Sequence, residues 1–129
     1  MTDPIADFLT RLRNAAMVQK DEVTMPHSRV VLELAKVLAK EGFLVDADTR
    51  GSGTNKEIVV HMRYINEQPS FEDIKRVSTP GRRVYRQAKN LRPVKSGYGV
   101  AVLSTPKGIL TDTDAKKENV GGEIMCEIW

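Results

Sequence analysis

Cysteine is almost missing from this chain of 129 residues: Cys126 stands alone and has no partner for an internal disulfide. That fits a reducing cytosol and argues against a secreted, disulfide-stapled fold. Long apolar runs are missing too, none approaching the roughly 20 residues of a membrane span. The opening "MTDPIADFL" has neither the charged lead nor the long apolar centre of a signal peptide. Histidine occurs only twice, and His27, His61 and Cys126 lie too far apart in sequence for metal-ligand spacing. What remains, 40% hydrophobic and 29% charged residues, is ordinary globular composition in a chain long enough to bury a core. A cytoplasmic protein with no membrane segment, metal or cofactor is expected.

One more absence is local. Between Lys75 and Lys95 there is no acid, while eight bases occur: Lys75, Arg76, Arg82, Arg83, Arg86, Lys89, Arg92 and Lys95. Residues 1–74 hold nine Lys/Arg and twelve Asp/Glu, a balance of −3; residues 75–129 hold eleven and five, a balance of +6. A merely soluble surface mixes signs. Asymmetry of this kind points to a polyanionic partner for the second half.

The periodicity organises the chain into two lobes. Asp3 can cap a first helix, Pro4 suits its first turn, and Ile5, Phe8, Leu9, Leu12 and Ala16 share one face. Val23–Met25 is extended. Ser28 can cap a second helix with Val31, Leu34, Ala35 and Leu38 buried, and Gly42 ends it. Phe43–Thr49 and 57–64 read as strands around the loop "RGSGTNK", and "NEQPS" (66–70) has linker character. After it come a short strand at 74–77, a Pro-Gly turn in "STPGRR", an ambiguous stretch at 84–91, and a clear strand at 100–105. Thr111 and Asp114 resemble a capping box for a helix over 112–118. The last strand, 123–129, alternates Ile124, Cys126 and Ile128 with Glu123, Met125 and Glu127. The predicted fold is α+β, two small packed lobes: an α-β-α-β-β lobe over 1–68, and a mostly β lobe with a short helix over 69–129.

Enzyme chemistry finds little footing. "GSGTNK" lacks phosphate-loop spacing, and "GYGVAV" precedes a strand where a dinucleotide loop must follow one. Ser104 lacks a nucleophile elbow. His61 reads as a half-buried structural histidine, and Cys126 as a small buried apolar residue.

"VLSTPKGIL" (102–110) is more informative. A strand ends in two hydroxyls, Ser104 and Thr105, followed by a mobile charge, Lys107, and a permissive backbone at Gly108. Gly121 and Gly122 offer a second bare backbone directly before Glu123. Hydroxyls, a cation and open backbone suit the shallow groove of an RNA duplex, which displays 2′-hydroxyls and base edges. The alternative is a routine turn. The basic run, with Arg83, Tyr85 and Arg86 in it, favours RNA. Arg11 and Arg29, on the polar sides of the two helices, are further candidate contacts.

The chain closely resembles the bacterial small-subunit ribosomal protein eight family over nearly its whole length. The resemblance rests on "DPIADFLTRLRNA" (3–15), "SRVVLELAKVLAKEGF" (28–43), "IKRVSTPGRRVY" (74–85), "GYGVAVLSTPKGILTDTDAKK" (97–117) and "GGEIMCEIW" (121–129). It implies direct, early binding to the central domain of small-subunit ribosomal RNA, beside neighbouring ribosomal proteins. In many bacteria it also implies repression of an operon messenger that mimics the ribosomal site. By position, Ser104, Thr105 and Lys107 fall on the family's RNA-contacting loop. Gly121, Gly122 and Glu123 fall on its neighbour, and Tyr85 on its aromatic contact. The family usually has serine where this chain has Pro106 and a basic residue where it has Thr79, so one hydroxyl, one N–H and one cation are missing here. Glu123 can accept from a base amino group or a 2′-hydroxyl, or hold Lys107 in place. The expected function is a non-enzymatic RNA-binding constituent of the small ribosomal subunit. Other readings are a free translational repressor and an adaptor whose basic patch meets acidic proteins.

Overall fold

The computed structural model describes residues 3–129, which divide into two compact units, one running to Phe71 and the other spanning Glu72–Trp129. Both helices and sheets are present, as an α+β fold requires. The first unit keeps the chain past residue 68: the Ser70 hydroxyl donates to Phe43 O, and Phe71 is buried.

In the first unit, helix α1 (Pro4–Met17) starts where Asp3 accepts from Ala6 N at 3.2 Å. Its buried stripe is Phe8, Leu9, Leu12 and Ala15, with Ala15 in the place expected for Ala16. Strand β1 (Glu22–Pro26) leads to α2 (Arg29–Lys40). Ser28 stands at the N-cap without bonding through its side chain. Gly42, at φ +90°, closes the other end: its N–H reaches Ala39 O at 3.0 Å, and Phe43 N reaches Leu38 O at 2.9 Å. Val31, Leu34, Ala35 and Leu38 are buried; sequestering each larger side chain contributes about 1.5–3 kcal/mol. Strands β2 (Leu44–Arg50) and β3 (Glu57–Met62) join β1 in an antiparallel sheet of order β1-β3-β2. The return strand stops at Met62, two residues sooner than expected. The stretch that reads as a linker is instead a hairpin of β4 (Tyr64–Ile65) and β5 (Gln68–Pro69). Its two turn residues, Asn66 and Glu67, sit at φ 53° and 65°, the left-handed pair that matches strand twist.

The second unit contains β6 (Ile74–Arg76), β7 (Tyr85–Arg86), β8 (Val100–Thr105), β9 (Gly108–Thr111), α3 (Asp112–Lys117) and β10 (Gly122–Ile128). Strand β10 is central: the sheet order is β6-β10-β8-β9, and β7 also pairs with β10. Thr111 caps α3 by accepting from Asp114 N at 3.2 Å. Asn119, at φ 53°, follows the helix, and Val120 N returns to Ala115 O at 3.0 Å. The helix therefore ends at Lys117, one residue short of the predicted 118.

The strict alternation expected of β10 is broken. A bulge between Ile124 and Cys126 shifts the register, so Ile124 lies opposite Leu103 while Cys126 and Ile128 lie opposite Val102 and Val100. Paired residues share a face, so Ile124 and Cys126 sit on opposite faces. Ile124 joins Leu103, Ala101, Ala115, Leu91 and Val94 in one core cluster. Met125, expected on the wet face, is 2% exposed, and its carbonyl accepts from Val77 N and Arg76 Nη1.

Candidate nucleic-acid interface

The stretch 102–110 is a hairpin, not a strand running into a loop. Thr105 pairs with Gly108, and only Pro106 and Lys107 lie between. Proline sets its own φ near −65°, the first corner of a tight turn. Gly108 takes φ +108°, which a side chain would resist. The Thr105 hydroxyl donates to Gly108 O at 2.8 Å and accepts from Lys107 N at 3.1 Å. Its one proton is thereby committed, and one lone pair is left unused. Among the described residues the Ser104 hydroxyl has no partner. Lys107 Nζ lies 3.0 Å from Glu118 Oε2, both side chains 54% exposed; a pair of this kind holds weakly.

Register then assembles what sequence leaves scattered. Ser104 on β8 lies opposite Glu123 on β10, and Glu123 lies opposite Tyr85 on β7. One cross-strand row thus carries a free hydroxyl, a carboxylate and a 65% exposed aromatic ring. Glu123 does not hold Lys107: Arg83 Nη1 reaches its Oε2 at 3.1 Å. In the next row Gly122 lies opposite Arg86.

The two glycines have an internal reason. A Cβ on Gly122 would collide with the carbonyl of Ser104, and one on Gly121 with the carbonyl of Arg86. Their bareness lets β10 enter between β7 and β8, as well as leaving open backbone toward solvent. Beside them is a shallow depression of about 680 Å³ bordered by Tyr85, Arg86, Lys89, Asn119, Gly121 and Gly122. Asn119 has no sequence-level signal for this place beyond its position after a short helix; Lys89 was visible only as one base of the run.

Buried Ser78 is another residue the sequence does not single out. Its hydroxyl accepts from Val84 N at 2.8 Å and donates to Val84 O at 3.2 Å. Thr79 and Arg82 exchange backbone bonds of 3.0 and 3.1 Å inside that loop. The mouth of the loop is thus clamped, and Arg82 and Arg83 are held beside β10. The acid-free run does not act as one set. Arg76 donates to Met125 O at 2.6 Å, Arg83 to Glu123, and Lys95 Nζ sits 4.6 Å over the Trp129 ring. Lys75, Arg82, Arg86, Lys89 and Arg92 are exposed.

The candidate contacts of the first unit have their own surroundings. Arg11 bonds Asp7 Oδ2 and Thr24 O, each at 2.9 Å, so it ties α1 to β1. The Arg29 side chain is 91% exposed and pairs with Glu33 at 3.4 Å. His61 is exposed rather than half-buried, because register places it in a solvent-facing row between Glu22 and Asp46. Its Nδ1 lies 2.6 Å from Asp46 Oδ1, and that hydrogen bond raises its pKa above the ordinary histidine value. Burial pushes the Cys126 thiol up to about 12, leaving it protonated and inert. Among the described residues no group of His, Cys, Asp and Glu is arranged to hold a metal, and no helix is long and apolar enough to cross a membrane.

Comparison with known proteins identifies the family. The family model described as Ribosomal protein S8 matches residues 3–129. The small ribosomal subunit protein uS8 of Rubrobacter xylanophilus is 45% identical over 130 residues, covering 100% of this chain and 98% of its own. Those of Mycoplasmopsis pulmonis and Paraburkholderia xenovorans are 45% and 47% identical, covering 100% and 99% of this chain and 98% of each relative. A match from one end of the described chain to the other spans both units, and on it the chain belongs to the ribosomal protein S8 family.

Proposed function

We propose that this protein is a structural constituent of the small ribosomal subunit, working in the ribosome in the cytoplasm, and that it binds the central domain of small-subunit ribosomal RNA directly. The family is a non-enzymatic component of the ribosome. The observation that carries RNA binding is the cross-strand row Tyr85–Glu123–Ser104 beside the Thr105–Gly108 turn. Ser104 and the free lone pair of Thr105 meet 2′-hydroxyls, Glu123 accepts from a base amino group or a 2′-hydroxyl, and Tyr85 stacks. Lys107, Arg83 and Arg86 hold the phosphate backbone, while Gly108, Gly121 and Gly122 let it approach. Arg11 and Arg29 add contacts from the first unit, and neighbouring ribosomal proteins are further partners. The surface reads shape more than sequence, so an operon messenger folded like the ribosomal site would bind it too.

Footprinting the full chain on naked small-subunit ribosomal RNA tests this. Protection confined to the central domain, abolished by an excess of that RNA segment, is the expected result. A complex with other proteins that survives ribonuclease, with no footprint, would instead identify an adaptor.

A further inference from the structure

At the other end of β8 from the Thr105–Gly108 turn is a feature that the proposed interface does not use. Tyr98 is 89% exposed, more than any other large hydrophobic side chain among the described residues. A single exposed apolar residue is normal on any surface. This one is unusual in how it is held. Three successive residues before it, Lys95, Ser96 and Gly97, lie at φ 48°, 57° and 97°. Two of them are not glycine, and the left-handed region disfavours both. The loop is nonetheless closed tightly. Gly97 N and Gly99 N both bond Val94 O, at 2.9 and 3.1 Å, and Tyr98 N bonds Lys95 O at 3.1 Å. Gly99 has no room for a Cβ, which would strike Ile128 O, the Trp129 Cβ and Val94 Cγ1. Lys95 is anchored above Trp129. A strained, pinned loop therefore presents an aromatic ring to solvent, with Arg92 and Lys95, both exposed, on the same segment.

We infer that Tyr98, flanked by Arg92 and Lys95, is a second RNA contact, at which the ring stacks on an unpaired base. The inference rests on the proposed RNA-binding function. Bases inside a duplex are already stacked, so a free ring takes a base from a loop, bulge or end. Arg92 and Lys95 supply the charge that keeps the strand near, and no acid lies between residues 74 and 111 to repel it. Six strand residues rising about 3.3 Å each put this station some 20 Å from the Thr105–Gly108 turn, so the two ends engage different segments of RNA.

The test compares Tyr98→Ala and Tyr98→Phe for affinity to naked small-subunit ribosomal RNA over a salt series. A photo-crosslinking phenylalanine analogue is also placed at 98 in intact small subunits. Expected are a loss of at least about fivefold for Tyr98→Ala, no more than twofold for Tyr98→Phe, an unchanged salt slope for both, and a crosslink to RNA. Tyr98→Ala binding within twofold of the parent overturns the inference, as does equal loss in Tyr98→Phe or a crosslink to protein. If the parent itself fails to bind this RNA, the proposed function falls and the Tyr98 contact falls with it. If the parent binds and only Ser104 or Lys107 variants weaken it, the function stands and the Tyr98 contact does not.

Discussion

Thr105→Val and Ser104→Ala delete neighbouring hydroxyls, and only the first should cost the fold stability. Thr105 makes two hydrogen bonds within the turn, to Gly108 O and from Lys107 N. Valine keeps the β-branched shape, so strand propensity is preserved and the loss is the hydrogen bonding alone. A typical intramolecular hydrogen bond is worth about 0.5–1.5 kcal/mol net. Both bonds here are exposed, so water replaces part of each, and we expect the pair to cost about 1 kcal/mol. For a unit of this size that lowers Tm by about 4 °C. The Ser104 hydroxyl has no partner among the described residues, so Ser104→Ala should leave stability within about 0.5 kcal/mol of the parent. On RNA both variants should lose a proposed contact. At the proposed interface, removing the Ser104 hydroxyl should strand an RNA group, a loss of about 1 kcal/mol or more, or at least about fivefold in Kd. The loss should fall on the cognate RNA and spare random duplex. Thermal unfolding and RNA titration of the same two proteins decide the matter. If Thr105→Val melts with the parent, the turn is held by Pro106 and Gly108 alone. If Ser104→Ala binds the cognate as tightly as the parent, the row Tyr85–Glu123–Ser104 is not what reads the RNA.

Gly122→Ala should destabilise the second unit by about 1–3 kcal/mol, because the new methyl meets the Ser104 carbonyl and a backbone cannot yield as a side chain can; urea denaturation matching the parent's would contradict the close approach of β10 to β8. Lys107→Ala should weaken cognate and random RNA alike and reduce the slope of log affinity against log salt by about 0.9, the value per phosphate on B-form DNA; an unchanged slope would remove Lys107 from the phosphate contacts. The raised pKa of His61 means its protonated form is favoured in the folded state, chiefly by the Asp46 hydrogen bond. That contribution is fully present below about pH 6.5 and is lost as pH rises through the higher folded value. The urea midpoint of the parent should therefore exceed that of Asp46→Asn by more at pH 6 than at pH 8.5, and a pH-independent gap would refute the pairing. Cys126, protonated and buried, should resist iodoacetamide at pH 8 until the protein is unfolded, as mass spectrometry would show.

Local chemistry alone determined much of this protein. Helix α1 begins at Pro4 because Asp3 and Pro4 are cap and first-turn residues, and α2 stops at Lys40 because the backbone turns left-handed at Gly42 just past it. Strand β8 and the cap at Thr111 are equally legible, since period, propensity and capping act over a few neighbouring residues. The charge imbalance and the motifs "LSTPKG" and "GGE" carry the case for an RNA partner from sequence alone. Only tertiary structure decided which residues stand beside which. The bulge at Met125 reverses the faces of β10, because one extra residue opposite a partner strand shifts every later side chain. Glu123 meets Arg83 rather than Lys107, and Gly122 serves the approach of two strands, because the fold brings together positions 18 to 40 residues apart. Periodicity records which way a side chain points along its own strand; it holds no term for the strand that lies alongside.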